Sequence, residues 1–254
     1  MKPLAGKRIL VTRPRVQAAE LCDKLAAQGA TPIVFPTIEI APLDDYTALD
    51  RAIRHLAQYQ WIIFTSVNGV KAFWERLDAV GAGLMPTLRV AAIGPATASA
   101  LQAHDVTVTL IPDEYVAEAI IESIGAVQGQ RILLPRADIA REALAVELRQ
   151  RGAIVDEIAA YRTLPAQPDT NGLLELQRGV DVITFTSSST VRNFVALAGE
   201  GAISPDTIVA CIGPITANTA RELGLRVDVI AAEYTMAGLV AALVKYYAET
   251  VVEK

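Results

Sequence analysis

The sequence predicts an α/β protein of two doubly wound parallel-sheet domains, related by internal duplication and joined by a two-stranded linker. Three observations predict it. Short Val/Ile-rich runs alternate with helical patterns. Segments recur in the same order about 120 residues apart. Proline-bearing, weakly periodic stretches fall inside each copy rather than between the copies.

The elements follow in order. In the first copy the strand candidates are 8–12, 32–35, 61–65, 88–93 and 107–111. They are nearly continuous in apolar residues, the pattern of parallel strands covered on both faces. Helical patterns fill the gaps, as at 16–28, where Leu21, Leu25 and Ala26 share one face. Strands alternating with helices give the doubly wound class.

The recurrences are specific. KRILVTRP (7–14) resembles QRILLPRA (130–137), and each precedes a charged helix ending in a Gly-Ala pair, Gly29-Ala30 or Gly152-Ala153. VAAIGPATASAL (90–101) pairs with VACIGPITANTA (209–220), and TLIPDEYVAEAI (109–120) with DVIAAEYTMAGL (228–239). The spacing is far too long for a solenoid repeat. The crossings are FPTIEIAPLDD (35–45) and TLPAQPD (163–169), because proline punctuates helices and central strands. This predicts one domain from 1–36 plus 168–254, a second from 43–162, and linkers at 37–42 and 163–167. A plainer cut near residue 128 is the alternative.

Composition narrows the function. The 254 residues are 52% apolar, enough for a large core, with a net charge of −5. No basic surface advertises nucleic acid or anionic lipid, and aromatics are too sparse for base-stacking platforms. No stretch reaches the ~18 uninterrupted apolar residues of a spanning helix. The N-terminal apolar run is broken by charge, unlike a signal peptide. Cys22 and Cys211 make no disulfide framework. A cytoplasmic protein without membrane or nucleic-acid partners is expected.

The turns TSVNG, IGPATA, TSSST and IGPITA each lead from a strand into a helix N-terminus. Ligands of open α/β sheets sit beyond the carboxyl ends of the strands. There the first helical amides lack internal partners and attract anions. Capping by serine and threonine, with proline at the first helical position, is the bland explanation of the same residues. Facing a cleft, four such ends would hold a ligand with several negative groups. Arg13 and Arg136 occupy matching places after the first strand of each copy, and Arg15, Arg141 and Arg162 are further candidates.

Other chemistry is harder to find. The chain lacks Gly-x-Gly-x-x-Gly after the first strand and lacks a Walker loop, so no nucleotide cofactor is expected. His55 and His104 have no metal-ligand spacing, and the repeat sets Leu223 against His104 and Leu176 near His55. Cys211 matches Ala92, which points to packing. Glu114-Tyr115 and Glu233-Tyr234 repeat, the acids reading as first-turn partners of the helix dipole. Tyr161 breaks the repeat, since Ile38 is its counterpart. At a strand end, its phenol can donate a proton to a leaving hydroxyl, or its ring can simply pack.

Taken in order, VTRP, FTSVNGV, AIGPATA, LPRAD, YRT, FTSSSTV, CIGPITA and EYT…GLV resemble the uroporphyrinogen-III synthase family over essentially the whole chain. The resemblance implies two α/β domains joined by a two-stranded linker. It implies a hydroxymethylbilane substrate bearing eight carboxylates, closed with loss of water and inversion of its last ring through a spiro intermediate. It implies no cofactor or metal. By the same resemblance Tyr161 assists loss of the hydroxyl, and Ser66, Thr97, Ser187 and Thr216 stand near the bound tetrapyrrole. Ser188 joins them in the TSSST turn, with much of the binding left to main-chain amides. Transient contact with the preceding enzyme of the pathway is a further expectation. A non-catalytic two-lobed binder of a polyanionic small molecule and a sugar-phosphate isomerase or transferase are the rival readings.

Overall fold

The strongest apolar runs, VITF and WIIF, form fully buried strands at the centres of two separate sheets. The computed structural model describes residues 2–167, 169–199 and 201–252, with side chains through Glu249. The chain divides into two compact units, Met1–Glu39 with Leu164–Lys254, and Ile40–Thr163.

In chain order the first unit contributes β1 (Arg8–Val11), α1 (Ala19–Ala27) and β2 (Thr31–Val34). Strand β3 (Ile38–Ala41) spans the first boundary. The second unit continues with α2 (Thr47–Arg54), β4 (Trp61–Phe64), α3 (Val67–Val80), β5 (Arg89–Ala92), α4 (Pro95–Gln102), α5 (Ala117–Ser123), β6 (Arg131–Ala137) and α6 (Ala143–Gln150). Strand β7 (Ile154–Pro165) crosses back. The first unit is completed by α7 (Thr170–Gln177), β8 (Val182–Phe185), α8 (Ser188–Ala198), β9 (Ile208–Cys211), α9 (Pro214–Glu222), β10 (Val229–Ile230) and α10 (Met236–Val252).

One sheet has the order β10-β9-β8-β1-β2, every pair parallel. The other runs β3-β7-β6-β4-β5, with β7, β6, β4 and β5 mutually parallel. The two orders correspond: β2-β1-β8-β9 in one matches β7-β6-β4-β5 in the other. Where β10 completes the first sheet, the second has only a bridge between Ala91 and Leu110.

Alternation along each strand sends side chains into two layers. In the second unit Ile62, Phe64, Val90 and Leu133 face α2, α3 and α4, while Trp61, Ile63, Ala91, Ile132 and Leu134 face α5 and α6. In the first unit Ile9, Val11, Val182 and Ala210 face α1 and α10, and Leu10, Ile183, Phe185 and Val209 face α7, α8 and α9. The repeated Gly-Ala pairs have a backbone cause, because Gly29 and Gly152 turn at φ +91° and +82°, a region costly for any residue with a Cβ.

Several sequence expectations are corrected. The helix pattern at 16–28 is a 3-10 turn, Arg15–Gln17, followed by α1. The strand expected at 107–111 is reduced to the Leu110 bridge, since alternating threonines leave it half exposed at an edge. The stretch 37–42 holds strand β3, flanked by Pro36 and Pro42, and β7 runs on to Pro165. Proline is tolerated beside the edge strand β3, where Pro36 and Pro42 stand. Glu114 and Glu233 precede α5 and α10 and are exposed, so neither lies in a first helical turn.

Helices α2 and α3 are tied by Asp50, which accepts from Arg76 Nε at 2.9 Å and Nη2 at 2.6 Å. The Arg76 hydrogen bond holds the Asp50 carboxyl below its usual range. A carboxyl depressed on folding stabilises above its unfolded pKa, and that contribution is lost as pH falls through the folded value. Asp50→Asn therefore costs ~1 kcal/mol at neutral pH and far less in acid. Comparing melting temperatures of the two proteins at neutral and acid pH checks this. An equal gap at both would contradict it.

Candidate active site

At the carboxyl edge of the second sheet, β4 ends at Phe64 and the chain turns through Thr65 and Ser66 into α3. Ser66 is the N-cap, its Oγ accepting from Gly69 N at 3.0 Å. A side chain at Gly69 would bring a Cβ to 3.0 Å from the Pro135 carbonyl of β6. Glycine thus lets the turn lie close against the neighbouring strand. One strand over, Ile93 N donates to the Phe64 carbonyl at 3.0 Å, and Gly94 caps α4, which begins with Pro95. The first sheet repeats this arrangement. Ile212 N donates to the Phe185 carbonyl at 2.9 Å, Ser187 caps α8, and Gly213 caps α9 before Pro214.

The repeated tyrosines belong to these turns. A Cβ at Gly94 would meet Tyr115 Cγ at 3.0 Å, and one at Gly213 would meet Tyr234 Cδ1 at 3.1 Å. Each ring therefore lies against a glycine N-cap, which explains why Glu-Tyr and Ile-Gly-Pro recur together.

The hydroxyls of the turns are largely engaged internally. Ser187 Oγ accepts from Thr190 N at 3.3 Å, and Ser187 N donates to Thr190 Oγ1 at 3.2 Å, completing a capping box. Ser188 Oγ lies 2.7 Å from Thr219 Oγ1 of α9. Thr97 and Thr216 are buried in the third helical position. Ser66 and Ser187 take up the amides of Gly69 and Thr190, so what the turns have left to offer is the remaining first-turn amides, which have no intrahelical acceptor.

Tyr161 lies within β7, paired with Ala137, at a bulge between Arg136 and Ala137. It is 7% exposed, and its hydroxyl is 3.0 Å from Ser66 Oγ. Burial raises its pKa, while hydrogen bonds with Ser66 and Asn68 and the charge of Arg136 pull the other way. The phenol is therefore protonated at neutral pH. Arg136 is 8% exposed and donates from Nη1 to Glu157 Oε1 at 2.9 Å.

Arg13, expected to match Arg136, has different surroundings. Its Nε and Nη2 donate to the backbone and side chain of Gln17, each at 3.2 Å, and its Nη1 reaches Met236 Sδ at 3.4 Å. Burial lowers its pKa, opposed by Glu20. Arg15 pairs with Asp169, and Arg162 forks onto Asp44 at 2.7 and 2.9 Å. Arg141 is exposed. Among the candidates, the second unit brings Tyr161 and Ser66 into hydrogen-bond contact, while Arg136 is bonded to Glu157. Thr97 is separate from that hydrogen-bonded group, and Arg13, Ser187, Ser188 and Thr216 belong to the first unit.

The remaining chemistry-bearing groups lie elsewhere. His55 Nδ1 is 2.7 Å from the Arg51 carbonyl, and His104 stacks on Trp74 at 4.6 Å. Cys211 is buried, its thiol pushed up to about 12 by desolvation. A cavity of about 470 Å³ opens among Arg51, His55, Tyr59, Arg131 and Asp156. It sits at the amino edge of the second sheet, away from the turns. Sequence reasoning missed Glu157 and Asn68. For Glu157 a signal was present, since the comparison that sets Tyr161 against Ile38 also sets Glu157 against Val34.

The family model described as uroporphyrinogen-III synthase HemD matches residues 19–241. The chain belongs to the uroporphyrinogen-III synthase family. It is 37% identical to a uroporphyrinogen-III synthase of Synechococcus elongatus, over 98% of each chain. It is 30% identical to one of Chlorobaculum parvum, over 88% of this chain and 92% of that protein. Its fold is similar to that of a uroporphyrinogen III synthase of Thermus thermophilus, with a TM-score of 0.69 at 20% identity, covering 96% and 100% of the two chains. A second family structure, from Helicobacter pylori, gives 0.61 at 17% identity, covering 94% and 99%. Those likenesses carry the parallel-sheet α/β architecture. No helix of the described residues is long and apolar enough to cross a membrane.

Proposed function

We propose that this chain cyclises hydroxymethylbilane to uroporphyrinogen III, with Tyr161 as proton donor and the strand-end turns as the carboxylate sites. The observation that carries the assignment of roles is the Tyr161–Ser66 contact of 3.0 Å. It sets a neutral phenol beside a helix N-terminus at the edge where α/β sheets take ligands.

An octacarboxylate approaches a protein of net charge −5, so global electrostatics oppose binding. Local donors must overcome that repulsion. Helix starts are suited to it, each worth ~0.3–1 kcal/mol to a nearby anion and more when partly buried. With the hydroxyls of Ser187 and Ser188 engaged and Thr97 and Thr216 buried, the work falls to backbone amides at the turns those residues hold. Arg13 adds a cation at the same edge of the first sheet. The matching strand orders support reading the two units as duplicated halves, each presenting one pair of turns.

Proton donation from Tyr161 assists departure of the terminal hydroxyl as water. The resulting azafulvene is attacked by the last ring at its substituted carbon, and the spiro intermediate reopens and recloses inverted. The protein's share is chiefly positioning, and each tenfold preference for the inverted isomer requires ~1.4 kcal/mol at the transition state.

The test is product analysis. Purified protein supplied with enzymatically generated hydroxymethylbilane should give isomer III in large excess over the isomer I that forms spontaneously. Isomer I alone would overturn the reading and favour a non-catalytic binder.

A further inference from the structure

The turn that opens α3 recurs at α8, FTSVNGV (64–70) against FTSSSTV (185–191), so Ser66 stands where Ser187 stands and Asn68 where Ser189 stands. The two serines cap alike. Ser66 Oγ accepts from Gly69 N at 3.0 Å, and Ser187 Oγ from Thr190 N at 3.3 Å. They differ in their other partner. Ser187 Oγ lies 2.9 Å from Ser189 Oγ, inside its own turn. Ser66 Oγ reaches out of its turn to the Tyr161 hydroxyl on β7, at 3.0 Å. Ile38, which takes the place of Tyr161 in the first unit, has no hydroxyl to offer.

Counting protons limits what Ser66 can do. A serine hydroxyl has one proton to donate and two lone pairs. The Gly69 amide takes one lone pair. A carboxylate only accepts, so the single proton cannot serve a substrate carboxylate and Tyr161 together. Tyr161 in turn needs a donor if its own proton is to leave for the substrate. It is 7% exposed, in the layer of Phe64 and Leu133, and a phenolate formed there without a hydrogen bond is costly. The Ser66 hydroxyl is in place to supply that bond, and Asn68 of the same turn is a second hydrogen-bond partner of Tyr161. The donor is held firmly. Its oxygen is tied to the first turn of α3, and Gly69 lies close against the Pro135 carbonyl of β6.

We propose that Ser66 is a positioning residue for Tyr161 and not a carboxylate contact, its hydroxyl donating to the Tyr161 oxygen as that oxygen gives up its proton. The proposal rests on the synthase reading above. In this step the Tyr161 O–H bond breaks and the proton goes to the substrate hydroxyl. The C–O bond breaks with its electron pair leaving on water. The nitrogen lone pair of the same pyrrole ring is drawn in to form the new C=N bond system, and the cationic ring then returns its N–H proton to the phenolate. The net change is loss of one water, with Tyr161 restored. A hydrogen bond to a charged oxygen is roughly twice as strong as a neutral one. The gain therefore falls on the transition state and not on substrate binding.

The experiment compares Ser66→Ala, Ser66→Thr and Ser66→Asp with the unmodified protein, and Ser66→Ala also in the Y161F background. Steady-state kinetics with isomer analysis are paired with urea denaturation and with an NMR titration of tyrosine ring carbons, the Tyr161 signal assigned from Y161F. The charged groups acting on Tyr161, Arg136 of β6 and Asp138 after it, stay the same throughout. Ser66→Ala should raise the Tyr161 titration midpoint by about one pH unit and lower kcat about three- to tenfold, since the phenolate is only partly formed in the transition state. KM should stay within about twofold, because no uniform binding contact is removed. Ser66→Thr restores the hydroxyl and should recover both effects. Ser66→Asp keeps a good helix cap and so a near-native urea midpoint, but it has no proton to donate and adds negative charge. Its Tyr161 midpoint should rise further than that of Ser66→Ala. In Y161F, where the phenol is gone, Ser66→Ala should change kcat by less than about twofold, the non-additivity of residues that act through one another. An unmoved midpoint in Ser66→Ala, an undiminished loss in the Y161F background, or a loss confined to KM would overturn the proposal while leaving the synthase reading intact. Unmodified protein yielding isomer I alone would sink the synthase reading, and this proposal with it.

Discussion

Tyr161→Phe slows formation of isomer III by ~10–100-fold, at or below the low end of the range for general acid catalysis, while the protein stays folded. The substitution removes one oxygen and keeps the ring, which is 7% exposed and packed with Phe64, Phe73, Trp74 and Leu133. Ser66 loses a partner at 3.0 Å but still accepts from Gly69 N at 3.0 Å. The stability cost is therefore about that of one neutral hydrogen bond, ~1 kcal/mol. The rate loss stays moderate because most of the acceleration comes from holding the chain in a reactive fold. The pH profile separates the roles. Burial raises the Tyr161 pKa, so the acid remains protonated through neutral pH and its loss makes a falling limb only in alkaline solution. Phenylalanine should abolish that limb. A purified, folded Y161F protein with full activity and an unchanged profile would remove Tyr161 from the chemistry.

How much of this was readable from the residues depends on how local the signal is. Buried parallel strands need apolar side chains on both faces, so WIIF and VITF announce themselves without neighbours. The turns are equally local, since Ser66 and Ser187 cap and Pro95 and Pro214 open their helices as serine and proline do elsewhere. Strand β3 was obscured because its pattern is only four residues long and bounded by prolines, and its pairing with β7 is set by residues far along the chain. The site is legible where the recurring segments differ. Tyr161 stands out against Ile38, and the structure adds that Glu157 stands against Val34 on the same strand. What no single segment discloses is the bulge at Arg136 and Ala137, which arises from the register between β6 and β7. Nor does the sequence disclose that Arg13 and Arg136, at matching positions, have different partners. Those partners, Met236 and Glu157, come from elements with no counterpart relation to each other.

Phe64→Ala should cost ~3–5 kcal/mol, the range for truncating a fully buried aromatic residue, against a total stability of ~5–15 kcal/mol for an ordinary domain. Phe64 is 0% exposed and ends β4, with its ring 5.4 Å from Phe73 and 5.8 Å from Trp74. Truncation empties the centre of the cluster on which α3 rests and leaves unmade one edge-to-face contact, with Phe73, and one tilted contact, with Trp74. Phe64→Leu keeps most of the volume and should cost well under half as much. The consequence for the site is indirect but specific. Phe64 is two residues ahead of Ser66, and its carbonyl receives Ile93 N at the base of the neighbouring turn. Loosening this strand end displaces both turns of the second unit together. Urea denaturation should therefore show a lowered midpoint in Phe64→Ala. The remaining folded protein should leak isomer I, because a misplaced substrate closes without inversion. Y161F should slow closure with its unfolding midpoint nearly in place. A Phe64→Ala protein with an unchanged midpoint would mean that the turns stand without the ring beneath them, and the link from buried strand to carboxylate site would be wrong.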